Sequence, residues 1–149
     1  MKLPAQNAME QFLDTLGIRF ETIDRQGKWS LQQTWRQRFS RRVKDATGKW
    51  SSESPDWSTF SAGYTASVRG FRAESAYADA VAKTVILLSS NPAIPSYRCS
   101  SKPNLVDLRQ LLIHERRLYD LYVFPPDFGW TMVFVHEEEM GPFFSTSSS

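Results

Sequence analysis

The sequence predicts a single α+β domain in which helices pack against a mixed or antiparallel sheet. Three observations lead there. Leu31, Trp35, Phe39 and Val43 recur at every fourth residue, the spacing of one helix face. Thr84-Val85-Ile86-Leu87-Leu88 is a short apolar run rich in β-branched residues, which fits a central strand. From Trp130 to His136 both alternating sets are mostly apolar: Trp130, Met132, Phe134 and His136 on one side, Thr131, Val133 and Val135 on the other. A strand apolar on both faces belongs in the middle of a sheet with a layer on each side. The chain has 149 residues, 41% hydrophobic and 13% aromatic, which suits one domain with its own core and is too apolar for a disordered chain. Residues 1–144 are expected to form that domain and 145–149 a disordered tail.

The elements follow in order. Pro4 can open a helix, Met9, Phe12, Leu13 and Leu16 give it an apolar face, and Gly17 stops it. Ile18, Phe20 and Ile23 suggest a short strand ended by Gln26-Gly27. Ser30 with Gln33 three residues on reads as a capping box that starts the second helix. Gly48 to Asp56 is loop-like, and a helix is expected from Arg72 to about Ala82. Pro92, Pro95 and Pro103 mark a loop, after which Asn104 caps a helix carrying Leu105, Leu108, Leu111 and Leu112. Leu121 and Val123 alternate with Tyr122 and Phe124 in a strand, Pro125-Pro126-Asp127 with Gly129 makes a turn, and Trp130 starts the next strand. Glu137 to Gly141 turns the chain again, so that Phe143 and Phe144 return to the core.

The net charge of +2 hides a polarity. Arg25 to Lys49 holds eight basic residues against Asp45 alone, whereas Asp120 to Ser149 holds five acids and no Lys or Arg. Such separation gives either a match between the two halves or two differently charged surfaces. No stretch approaches the length of a membrane-spanning helix, and the start MKLPAQNAMEQ lacks the apolar core of a signal peptide, so a cytoplasmic protein with no membrane partner is expected. The single cysteine, Cys99, excludes an intramolecular disulfide and CxxC redox chemistry. Neighbouring Arg98 and Lys102 could lower its pKa, although a lone loop cysteine is more often incidental.

Chemical motifs are sparse. His136 beside Glu137 could serve as a general base or metal ligand, but no nucleophile or second histidine is tied to it by spacing; a histidine that fixes a turn is the plainer reading. His114 falls at a helix C-terminus, where a cation is favoured. Phosphate loops, GxSxG elbows and HExxH spacing are absent from the sequence. No catalytic residue, metal or cofactor is expected. The basic stretch of helix 31–44, with Arg36, Arg38, Arg41, Arg42 and Lys44, could neutralise phosphates, with Trp29, Trp50 and Trp57 to stack on bases. Most of these charges lie opposite the apolar face, as on a solvated helix, so a nucleic-acid-binding or adaptor module is the alternative reading.

Three stretches together are similar to a known family. They are Leu31-Gln32-Gln33-Thr34-Trp35-Arg36-Gln37-Arg38-Phe39, then Trp57-Ser58-Thr59-Phe60-Ser61 with Gly70 and Ala73, and last Leu121-Tyr122-Val123-Phe124 through Trp130-Thr131 and His136-Glu137 to Gly141-Pro142-Phe143-Phe144. In this order they resemble a family of small bacterial proteins ending in a pattern close to YV, WT, THE and GPYF. Here Val135 stands for the threonine, Phe143 for the tyrosine, and Ser58 for a histidine that usually follows the tryptophan. The resemblance implies a fold and no reaction. With the acidic turn Glu137, Glu138 and Glu139, it motivates the expectation of an immunity (antitoxin-like) protein that binds a cognate toxin or effector. The three glutamates would steer into a basic active site, with Asp127, Phe128 and Trp130 on the neighbouring turn as contacts.

Overall fold

A computed structural model describes residues 3–40, 56–61, 63, 65–136 and 141–146. Helix α1 (Pro4–Thr15) begins at its proline and ends before Gly17, which takes φ 71°, a left-handed conformation that costs glycine nothing. Strand β1 (Phe20–Ile23) follows, and then α2 (Arg25–Phe39). The expected capping box at Ser30 is a correction: α2 starts at Asp24, whose carboxylate accepts the Gly27 N–H at 2.8 Å, so Ser30 and Gln33 lie inside the helix. Gly27 therefore ends no strand. A Cβ there would sit 2.6 Å from Ile23 Cγ2, so glycine lets the helix leave tightly against β1. The end of the predicted helix at Val43 and most of the Gly48 to Asp56 loop lie outside the described residues.

The short helix α3 (Ser58–Ser61) and strand β2 (Val68–Arg69) lead into α4 (Phe71–Asp79), which ends three residues short of the expected limit. Strand β3 (Val85–Ser89) is the predicted central strand. The predicted loop after it contains β4 (Ser96–Cys99), too short and too closely flanked by prolines to show a pattern. Asn104 caps α5 (Leu105–His114) by accepting the Asp107 N–H at 2.8 Å. A 3-10 turn (Arg116–Leu118) leads to β5 (Leu121–Phe124), β6 (Trp130–Phe134) and β7 (Phe143–Thr146). Ser145 and Thr146 thus belong to a strand, and Ser145 Oγ donates to the Ala66 carbonyl at 2.6 Å, so the expected tail does not begin at residue 145.

The seven strands form one open antiparallel sheet in the order β1-β4-β3-β5-β6-β7-β2. Both faces are covered, as the two-sided apolar strands require. One core joins α1, α4 and α5 to Val85, Leu87, Leu121, Val123, Met132 and Phe134. The other sets Trp35, Phe39 and Phe60 against Ile86, Leu88, Tyr122, Phe124 and Val133. Trp35 buries its ring edge-on against Tyr122 and donates Nε1 to Thr131 Oγ1 at 2.8 Å, which satisfies both polar groups inside the core. No described helix is long and apolar enough to cross a membrane.

Candidate functional site

The features with chemical content converge where the 3-10 turn meets the end of β6. Asp120 lies one residue before β5 and is 3% exposed. Its Oδ2 accepts Trp57 Nε1 at 2.9 Å, and its Oδ1 lies 2.9 Å from the backbone N–H of His136 and 2.7 Å from His136 Nδ1. Leu121 pairs with Phe134, so the carboxylate continues by side chain the β5–β6 ladder that the backbone leaves off. Ser90 Oγ in turn accepts the Asp120 N–H at 3.0 Å, and the Asp120 carbonyl accepts the Ser90 N–H at 2.8 Å. A buried carboxylate bonded to that many donors is fixed in orientation, and it fixes the imidazole. With Nδ1 committed to Asp120, the ring is left with Nε2 for hydrogen bonding or proton transfer.

His136 remains half-exposed and lines a cleft of about 310 Å³. Leu112, Ile113, Phe134, Val135 and Pro142 supply apolar wall, and Glu74, Arg109, Arg116 and Tyr119 complete it. Arg109 Nη1 donates to Glu74 Oε2 at 3.0 Å, which neutralises part of the charge. Tyr119 is 50% exposed, with its ring centroid 6.3 Å from that of His136 at 59°. Its backbone sits at φ 57°, ψ −116°, a conformation that strains any residue with a Cβ.

The surrounding contacts impose that strain. Ser89 Oγ donates to the Leu118 carbonyl at 2.6 Å and Asn91 Nδ2 to the Arg117 carbonyl at 2.8 Å, which pins the turn to the end of β3. Arg117 Nε and Nη2 donate to the two oxygens of Glu115 at 2.7 and 2.8 Å, and this pairing holds the Glu115 carboxyl below its ordinary range.

The sequence-predicted residues fare unevenly. Glu137, Glu138 and Glu139 lie outside the described residues. Phe128 and Trp130 are corrections: each is only 8% exposed, Phe128 stacked on Phe124 at 5.0 Å and Trp130 on Phe144 at 5.7 Å. They belong to opposite cores and leave little surface for a partner. Asp127 is exposed, but its Oδ1 accepts the Gly129 N–H at 2.9 Å and shapes the turn. Arg36 of the basic helix donates Nε to Asp56 at 2.8 Å, beneath which burial raises the Asp56 pKa despite the arginine. Arg41, Arg42 and Lys44 lie outside the described residues. Cys99 is buried in β4, and burial pushes its thiol up to about 12, the reverse of the activation that Arg98 and Lys102 suggested. Asp120, Tyr119 and Trp57 were missed as a group. Trp57, the Tyr119-Asp120 pair and His136 come from three separate segments, and no local spacing announces a contact between residues 57, 120 and 136.

Among known proteins the chain matches no family, no curated protein and no solved structure. Among the described residues no group of three His, Cys, Asp or Glu side chains is placed to share a metal ion.

Proposed function

We propose that the chain is an immunity protein, antitoxin-like, which binds a cognate bacterial toxin or effector and occludes its basic active site without chemistry of its own. The observation that supports this most is that the stretch Glu137–Glu139 joins two points of the fold that are firmly tied. On one side His136 is held through its N–H and its Nδ1 by the buried Asp120 carboxylate. On the other, the Pro142 carbonyl accepts the Gly70 N–H at 2.9 Å, and Phe143 stacks on Trp57 at 5.8 Å. Three like charges in sequence between these two anchored points give long-range attraction to a cationic site.

Next to these anchors stand residue types that carry binding energy in protein interfaces: Tyr119 half-exposed, Ile113 56% exposed, and Arg116. They replace Phe128 and Trp130 as contact residues. Simultaneous Glu137→Lys, Glu138→Lys and Glu139→Lys should weaken partner binding, and the loss should shrink as salt is raised, with circular dichroism unchanged. Unchanged affinity in that variant removes the acidic run from the interface.

A further inference from the structure

Lys28 is a cation inside the fold with no opposite charge to meet it. It is 5% exposed, and its Nζ donates to the carbonyls of Asn91 at 2.9 Å and Ile94 at 2.6 Å, both neutral acceptors. An ammonium has three N–H groups, so one is left over, and no carboxylate among the described residues pairs with it. Burial holds its pKa down to about 8. Tying the loop of residues 91–94 to α2 requires only a donor, and an uncharged one would avoid the desolvation that burying an ammonium entails.

Lys28 lines a pocket of about 320 Å³ between the first turn of α2 and the loop before β4, together with Arg25, Pro92, Ala93, Ile94 and Pro95. Arg25 is exposed and likewise has no acidic partner among the described residues. The charged groups around the pocket are engaged elsewhere. Asp24 gives Oδ1 to the Gly27 N–H and is not part of the lining, and residues 91–95 carry no titratable side chain. In the 3-10 turn that Asn91 Nδ2 touches, Arg117 pairs with Glu115, and Asp120 turns its carboxylate to Trp57 and His136. Two cations therefore border one pocket whose lining holds no carboxylate, which favours an anion.

We propose that this pocket binds the phosphate group of a small molecule, with the remaining Lys28 N–H and the Arg25 guanidinium as donors and Pro92, Ala93 and Pro95 as its apolar wall. A tetrahedral oxyanion offers several acceptor oxygens at once, so the single lysine donor and the arginine fork are met together. The pocket shares no lining residue with the cleft at His136, so its failure leaves the toxin-binding reading untouched.

The full chain is titrated at constant ionic strength with inorganic phosphate, sulfate, acetate and a short single-stranded DNA, while Lys28 Cε and the Ala93 methyl group are followed by NMR. The expected result is saturable shifts at both residues with phosphate and sulfate, and weaker binding of acetate. Sulfate keeps its charge across the pH range, so its affinity reports the lysine. An anion binds the ammonium form, so affinity is full below about 8 and is lost as pH rises through it: sulfate should bind about tenfold more weakly at pH 9 than at pH 7. Arg25→Gln, at an exposed position, should weaken phosphate about fivefold, the scale of one exposed ion pair, with amide signals elsewhere unchanged. No saturable shift with phosphate, acetate bound as tightly as phosphate, or sulfate affinity equal at the two pH values overturns the assignment. Tighter binding of the DNA at the same two signals overturns it as well, by making the pocket part of a nucleic-acid surface.

Discussion

Asp120 has the largest structural role of any single carboxylate at the site, because it joins Trp57, His136 and the start of β5. Asp120→Ala strands the Trp57 Nε1 and His136 donors, and should cost about 3 kcal/mol, read from urea denaturation. A cost below about 1 kcal/mol would mean that the segments hold together without it. Tyr119→Gly should act in the opposite sense. It relieves the backbone at φ 57° and removes a half-exposed ring, so a gain of about 1 kcal/mol is expected by urea denaturation. Cys99 should resist an aromatic disulfide reagent at pH 8 in the folded protein and react quickly in denaturant, since burial pushes its thiol up to about 12. At this scale the sequence was legible where a residue acts on its neighbours, as with the Asn104 cap. It was opaque where the partner is remote: the histidine's carboxylate lies sixteen residues away in the chain. Phe128 and Trp130 were misjudged because aromatic side chains flanking a turn read alike whether they cover a core or a partner.

Among the elements, α2 shows how two starting signals compete. Both Asp24 and Ser30 are good N-cap types, and Asp24 prevails because an earlier start places Gly27 against Ile23 and lets Lys28 reach the carbonyls of Asn91 and Ile94 at 2.9 and 2.6 Å. Asp24→Ala should therefore cost about 1 kcal/mol, and Ser30→Ala only a few tenths, by thermal or urea unfolding. The turn that carries Tyr119 has a pH signature. Hydrogen bonds from Arg117 depress the Glu115 carboxyl, so the folded state favours its ionised form. The resulting stability is complete above the ordinary value near 4.5 and is lost as pH falls through the depressed one. The stability difference between the parent and Glu115→Gln should accordingly narrow as pH drops below that value, and a difference independent of pH would show that ionisation of Glu115 does not support the turn. Long periodic elements such as α1 and α5 were readable from spacing and caps, whereas β2, with two residues, and β4, with four, are too short to establish a period.

For the whole molecule, the two-sided apolar character of β3, β5 and β6 foretold the layered architecture, and the structure bears it out with a separate core on each face. Strand order was not legible, because antiparallel neighbours such as β1 and β4 are chosen by packing between residues more than seventy positions apart. The same distance effect hid the site, which is assembled where the ends of β5, β6 and the 3-10 turn meet. The charge polarity of the chain remains its clearest functional signal, with five acids and no base from Asp120 onward. The most direct measurement is affinity capture with the tagged full chain and with its Glu137→Lys, Glu138→Lys, Glu139→Lys variant side by side from a lysate of the source organism, with the retained material identified by mass spectrometry. The expected result is one protein in stoichiometric amount that withstands moderate salt on the parent chain and is lost from the variant. Equal retention by both chains, or recovery of nucleic acid in place of a protein, would contradict an immunity protein that binds through Glu137–Glu139.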